Sequence, residues 1–356
     1  MSENIAQLQQ ELYATLKKAE RNRRRLRFFR TLCYGGAVIY FLGMIVMQFF
    51  AYSGETSFFY TLNPNPSFWE QYRMLIIIIP LFILITAGSY GLGIFYSKYI
   101  AAEQDAVRRI IRKMFPDARC ALFTSSSGFP MSMVQRSHFF GGIDSYHASA
   151  LSFGTVSFEN SNRKMTFHDI VINRWKSKNR IVQTSVGNFM LMMKFLFRGV
   201  TSKRVENITS DFRGMFAETQ LEKSISGTVV VLPDHLESRL DYLAKNIQAL
   251  KSVDGNKLVH LEDVEFERYF AVYSSDEITA RYVLTPAMML RITELKRKYN
   301  RDIMLSFSGD RFYFAVAMPE GFLTLSDASP ASSEALKDLY DNIAAARDIA
   351  GNLKLK

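Results

Sequence analysis

The chain has 356 residues, of which 48% are hydrophobic and 22% charged, with a formal net charge of +10. That length allows about two domains and that composition is a folded protein's, which excludes a disordered chain. The two cysteines, Cys33 and Cys120, stand far apart in no ligand spacing, which excludes a disulfide framework and a zinc site and fits a reducing compartment.

Residues 1–30 read as a basic amphipathic arm. They carry eight Lys or Arg against three acids, so this arm holds half of the net charge. A charge placed there, with only a modest excess spread over the rest, is no nucleic-acid footprint. Ile5, Leu8, Leu12, Leu16 and Ala19 recur at helical spacing. The cluster "RNRRRLRFFR" offers Arg23, Arg24, Arg25, Arg27 and Arg30 as candidates for contact with an anionic membrane surface.

Residues 31–52 and 73–96 read as transmembrane helices. Thr31 to Tyr52 and Met74 to Tyr96 contain no charged residue, and each exceeds the roughly 20 residues needed to cross the hydrocarbon core. Pro80 in the second span is tolerable there. Basic residues precede the first span and follow the second, and the loop 53–72 has no Lys or Arg before Tyr72. The positive-inside bias therefore predicts both termini in the cytoplasm. The first span is too long for a cleaved leader, and "QFFAYSGE" lacks a small-x-small cleavage site. Ala87/Gly91, Ser89/Gly93 and Gly35, Gly36 and Gly43 are candidates for close helix approach, within one molecule or between molecules.

Residues 97–235 read as a mixed α/β cytoplasmic subdomain. Ala101 to Phe115 is expected to be a helix leaving the membrane, stopped at Pro116. Strands are expected in "ALFTSS", "SALSFGTVSFEN", "RKMTFHDIVINRW" and "GTVVVLPD". Arg174 to Arg204 has eight basic residues, no acid and an apolar middle, "FMLMMKFLF". Two readings stand for it. It is a core segment with basic flanks, or it lies on the inner leaflet with Lys194 and Arg198 at the lipid surface.

Residues 236–356 read as an α+β subdomain. His235 to Lys251 is expected to be helical. Thr285 caps a helix that starts at Pro286 and buries Met288, Ile292, Leu295 and Tyr299. "DIMLSF-SGD-RFYFAVA" reads as a hairpin turning at Gly309-Asp310. The small-polar "SDASPASS" then leads to a terminal helix with Leu336, Leu339, Tyr340, Ile343 and Leu353 inward.

Chemistry is hard to find in these residues. No phosphate loop, H-E-x-x-H or G-x-S-x-G occurs. His138, His147 and His168 could meet Asp144 or Asp169 around a metal, but their spacings match no ligand pattern. Glu262, Asp263, Glu265 and Glu267 are the best acid/base candidates, as the acids of a membrane-tethered hydrolase. No nucleophile or histidine accompanies them, and the first turn of a helix uses acids structurally. Phe266 and Phe270 would pack inward, and Arg281 is expected on a strand, paired with one of the acids. No catalytic residue, cofactor or metal is expected.

"LEDVEFERYFAVYSSDEITARYVLTPAMMLRITELK", with "LSFSGDRFYFAVA", "DFRGMF" and "SGTVVVLPD", resembles a bacterial membrane family catalogued as domain of unknown function 3137. The residues carrying the likeness include Glu262, Asp263, Phe266, Tyr273, Arg281, Tyr282 and Pro286. Val264 departs from the proline expected after L-E-D. The resemblance implies a basic arm, two spans and a cytoplasmic domain in the bacterial inner membrane, with no established enzyme activity. It also implies a LemA-type membrane partner, because such proteins are often encoded side by side. The combined expectation is an α+β cytoplasmic domain anchored by a two-helix transmembrane hairpin. That protein is non-enzymatic and binds a LemA-like partner or assembles with itself; the alternatives are lipid binding through the basic clusters and a membrane-tethered hydrolase using the carboxylates of residues 262–267.

Overall fold

The computed structural model describes residues 9–52, 66–140, 148–160, 163–174, 212–234, 255–325, 329 and 332–352. Several expectations lie outside those residues: Ile5, Leu8, the helix over 235–251, most of the basic apolar stretch with Lys194 and Arg198, and Leu353.

Two long helices open the chain. Helix α1 (Tyr13–Tyr52) joins the basic arm to the first apolar stretch without a break. Helix α2 (Pro66–Met114) joins the second apolar stretch to the helix expected at 101–115. At 1.5 Å per residue they are about 60 and about 73 Å long. Pro66 to Tyr72, expected in the loop, instead form the first turns of α2. Proline suits the first helical position, where its missing N–H would have no intrahelical partner. Pro80 sits inside α2 without ending it.

The helices run antiparallel. The Asn22 side-chain amide donates to the Lys98 carbonyl at 3.1 Å, and the rings of Phe29 and Phe95 stand 4.9 Å apart. Of the small residues expected to permit close approach, Gly91 does so. A Cβ there would fall 2.5 Å from the Phe29 ring, so only glycine lets that ring lie against α2. Gly88 lies beside Cys33 in the same seam, whereas Gly35, Gly36, Gly43 and Gly93 face open space.

Among the described residues nine strands follow: β1 (Ala118–Gly128), β2 (Ala148–Asn160), β3 (Arg163–Arg174), β4 (Phe212–Gln220), β5 (Thr228–Pro233), β6 (Lys257–Val259), β7 (Phe270–Ser274), β8 (Ile303–Ser308) and β9 (Arg311–Ala317). They form one sheet in the order β1-β2-β3-β4-β9-β8-β5-β7-β6, antiparallel at every pairing. Strand β5 precedes residue 235 yet lies between β7 and β8, which follow it. The boundary expected near residue 235 therefore has no counterpart in the sheet. Alternating apolar runs cannot tell a reader which strands will be neighbours.

The sheet is apolar on both faces. One face packs against Ala106, Val107, Ile110 and Ile111 of α2 and Leu16 of α1. It also packs against α6 (Pro286–Tyr299) and α7 (Ser333–Asn352). The opposite face carries Ile170, Ile172, Phe212, Phe216 and Tyr313, with Phe129, Val134, Phe139 and Phe140 from the β1–β2 connection and its short helix α3 (Met131–Arg136).

The last third forms largely as its local signals dictate. Ser308 pairs with Arg311 across Gly309-Asp310, and Gly309 has φ +58°, as the two-residue hairpin turn requires. Thr285 accepts from the Met288 amide at 3.3 Å, Pro286 opens α6, and left-handed Asn300 closes it. Leu336, Leu339 and Ile343 of α7 are fully buried.

Candidate functional site

The helix pair meets the sheet in three layers. Nearest the exposed apolar segments is an apolar plug of Leu26, Leu92, Tyr99 and Ile100, with Phe29, Phe95 and Tyr96 around it. Next comes a ring of polar groups, Glu20, Arg23, Glu103 and Gln104. Beyond it the helices enter the sheet's own core at Leu16, Ala106 and Val107.

The polar ring holds the segment that follows β9. Glu103, only 1% exposed, accepts from the Leu325 amide at 3.0 Å through its carboxylate. Its neighbour Gln104 donates to the Phe123 carbonyl on β1. From α1, Glu20 accepts from the Ser329 hydroxyl at 2.9 Å and from the Arg24 guanidinium at 2.9 Å. Arg23 lies 3.7 Å from the same carboxylate.

A second buried charge pair lies on the same face of the sheet. Arg213 on β4 donates to Asp169 on β3 at 2.9 Å. The two Asp169 oxygens also accept the amides of Phe322 and Leu323, at 3.1 and 3.3 Å. The register of β2 on β3 shifts between Ser152 and Gly154. The Phe153 ring at this irregularity lies 4.6 Å from the Arg213 guanidinium, a cation–π contact. Gly321, at φ +94°, lies against the guanidinium, where a Cβ would meet Nη2 at 2.5 Å. Left-handed backbone and lack of space both demand glycine there.

The residues singled out from sequence divide among several places. Arg23 is 7% exposed and turned inward, so it is not a lipid-surface residue. Its helix puts it on the buried side with Leu16, Ala19 and Leu26, where Glu20 compensates its charge. Arg24, Arg25 and Arg27 are exposed and Arg30 is half-buried. Leu12, Leu16 and Ala19 take the inward face that their spacing predicts.

The four acids of the signature go to four different partners. Asp263 caps α4 (Val264–Tyr269) by accepting from the Glu265 and Phe266 amides, both at 3.0 Å. Glu262 lies 3.8 Å from Arg281. Glu265 pairs with Arg297. Glu267 accepts from the Leu261 amide at 2.7 Å. Phe266 and Phe270 are buried with ring centroids 5.0 Å apart, as their spacing predicts.

Arg281 is not on a strand. It belongs to helix α5 (Glu277–Val283), which Asp276 caps through the Ile278 and Thr279 amides. Arg281 pairs with Glu277 one turn back at 2.8 Å and donates to the His260 carbonyl at 3.1 Å. The cap and the i,i+4 pair outweigh the β propensity of "RYVL". Tyr273 is buried on β7, Tyr282 is exposed, and Pro286 starts α6.

His168 faces Phe129, ring centroids 5.0 Å apart. Asp169, its chain neighbour, points to the opposite face, as alternation along a strand requires. His147 and Asp144 lie outside the described residues. Among the described residues no group of three or more His, Cys, Asp or Glu could hold a metal ion.

Sequence reasoning passed over Glu20, Glu103 and Arg213 and weighed Asp169 only as a metal ligand. For Asp169 and Arg213 the available signal was a charge set inside an apolar strand, in "FHDIVI" and "FRGMF", where a buried charge needs a partner; Glu20 and Glu103 stand among other charged residues and carry no such signal.

A family described as protein of unknown function, DUF3137, matches residues 210–355, the stretch from the start of β4 through α7. This bears out the resemblance carried by the signature. None of the curated proteins matches. Among solved structures, the chain is similar to the mycobacterial trehalose monomycolate transport factor A, TtfA, at 9% identity. That alignment covers 70% of this chain and 94% of the other, with a TM-score of 0.34, and a likeness at that level carries no argument.

Within α1, Tyr13–Val46 is long and apolar enough to cross a membrane. Core helices of soluble proteins can meet that criterion too, but only 6% of this apolar window is buried. Phe28, Leu32, Ile39, Phe41 and Leu42 all face outward.

Proposed function

We propose that this is a non-enzymatic protein of the bacterial inner membrane. Helices α1 and α2 form a two-helix anchor with both termini in the cytoplasm, and the sheet domain presents a binding surface to a membrane-protein partner of LemA type or to a second copy. The observation that carries the reading is the continuity of α2. Between residues 79 and 94 it shows outward apolar residues at Ile79, Ile83, Tyr90 and Ile94, and its last turns are core residues of the sheet domain. An apolar face of that size on a soluble monomer would be an aggregation liability, and a bilayer removes it. The buried polar junction ties anchor to domain, so the two behave as one body. The test is purification of the full chain in mild detergent from its host. A stable assembly larger than a monomer is expected; a clean monomer with nothing attached would overturn partner binding.

A second reading, lipid contact at the inner leaflet, is favoured by the sheet's direction. Gln104 reaches Phe123, Arg108 reaches Leu122 at 3.5 Å, and Ala118 follows the end of α2, so β1 runs back toward the anchor. Strand β2 then runs away from the anchor and β3 back again, so Arg174 and Phe212 lie at the anchor end of the sheet. The basic stretch between them leaves from and returns to the side nearest the membrane. Vesicle binding that responds to anionic lipid and to salt would support this reading. Binding indifferent to both would exclude it.

A further inference from the structure

We propose that residues 318–325 are a coupling strap, through which displacement of the α1–α2 pair is passed into the centre of the sheet. The proposal rests on the membrane-anchor reading above.

The strap's amides are held by three separate elements, through a backbone carbonyl of β4 and through side chains of β3 and α2. As the chain leaves β9, the Met318 amide donates to the Arg213 carbonyl at 2.9 Å. Gly321 then turns the chain under the Arg213 guanidinium. The next two amides, Phe322 and Leu323, both end on Asp169, and the Leu325 amide ends on Glu103. The sheet thus holds one end of the strap and helix α2 the other. Phe322, Leu323, Thr324 and Leu325 are each at most 4% exposed, so water does not replace a lost partner without opening the core. Buried hydrogen bonds of this kind are made or broken, since a buried N–H left without a partner is costly. A shift of α2 along or away from the sheet therefore carries the Leu325 end with it or releases it.

The joint has a second attachment that reads α1 separately. Glu20 holds the Ser329 hydroxyl just beyond the strap while also facing Arg23 and Arg24. Relative motion of α1 and α2 consequently pulls on two neighbouring points of one short segment. Asp169 and Arg213, at the sheet end, lie on β3 and β4, near the middle of the strand order.

The test uses the full chain in lipid nanodiscs and amide hydrogen exchange of the strap. Gly91→Leu wedges the helices apart against Phe29 without touching the strap, and Gly91→Trp is the larger wedge. Separation is verified by loss of the disulfide between Cys33 and a cysteine introduced by Gly88→Cys. The wedge should speed exchange at Phe322, Leu323 and Leu325 by about tenfold while amides of β4 and β9 keep their rates. With Glu103→Ala, strap exchange should already be fast and the wedge should add nothing. In Glu103→Gln, whose side-chain carbonyl still accepts, the response to the wedge should persist. Strap exchange unchanged when the helices have separated would overturn the proposal. Faster exchange throughout the sheet would overturn it equally, because coupling would then run through the whole core. Flotation of the same samples with lipid tests the anchor reading by itself.

Discussion

Asp169 and Arg213 hold each other at 2.9 Å across β3 and β4, with side chains 1% and 2% exposed. The carboxylate also takes two amides from the segment after β9, so it satisfies more than its ion-pair partner. Breaking such a pair strands a buried charge. Arg213→Met or Asp169→Asn should each lower unfolding stability by about 3–5 kcal/mol. The double variant Asp169→Asn/Arg213→Met removes both charges and keeps an acceptor for the strap. It should lose less than the sum of the single changes. Denaturant midpoints of the detergent-solubilised chain check this, and simple additivity would show that the pair is not coupled.

His168 titrates in the opposite sense from a salt-bridged histidine. Burial beside Phe129 and Phe216 pushes its pKa down to about 4. The folded state therefore refuses a proton that the unfolded chain accepts near its ordinary value of about 6.5. Stability from this group is full above that value, falls as pH drops from about 6.5 to about 4, and is flat below; the loss reaches about 3 kcal/mol at most. His168→Phe should remove this component. Equal acid sensitivity in wild type and variant between pH 7.5 and pH 5 would contradict it.

The two caps in the signature should behave as helix starts. Asp263→Ala should cost about 1 kcal/mol, while Phe266→Ala, which empties a fully buried site, should cost about 3–5 kcal/mol. Asp276 has its pKa lowered, chiefly by the Thr279 hydroxyl and also by backbone amides. Its contribution is present above the unfolded carboxylate value and is lost as pH falls through the lowered one. Thermal unfolding of these two variants and of Asp276→Ala at neutral and acidic pH measures all of this. A larger loss for Asp263→Ala than for Phe266→Ala would mean that the acid does more than cap.

The seam of α1 and α2 predicts a disulfide. A Cβ at position 88 would stand 3.6 Å from the Cys33 sulfur. Gly88→Cys should therefore cross-link to Cys33 on mild oxidation, within the geometric range of disulfides. Gly93→Cys, which faces open space, should not. Mass spectrometry of the oxidised variants distinguishes them, and a cross-link at 93 in place of 88 would place the helices in another register.

Much of this could be read in the residues because the signals were local. The β8–β9 hairpin follows from Gly309-Asp310, and α6 from Thr285-Pro286 before a 3.6-residue stripe. The uncharged runs of α1 and α2 follow from length. Arg281 misled because "RYVL" favours a strand only until Asp276 caps the preceding turn. The place of β5 between β7 and β8, and the meeting of Glu103 with Leu325, join residues far apart in the chain, and no local pattern encodes such pairings. Arg23 misled for a related reason: a basic cluster on a helix has an inner side, and which arginine occupies it depends on where α2 and the sheet lie.

The most direct test of a two-helix anchor is its topology. In a chain with Cys33 and Cys120 replaced by serine, single cysteines introduced by Ser2→Cys, Thr61→Cys and Lys356→Cys are exposed to a membrane-impermeant thiol reagent on intact spheroplasts. Labelling at position 61 alone, with positions 2 and 356 reacting only after lysis, is the predicted result. Labelling of either terminus in intact spheroplasts, or release of the protein from membranes by alkaline carbonate, would contradict the account.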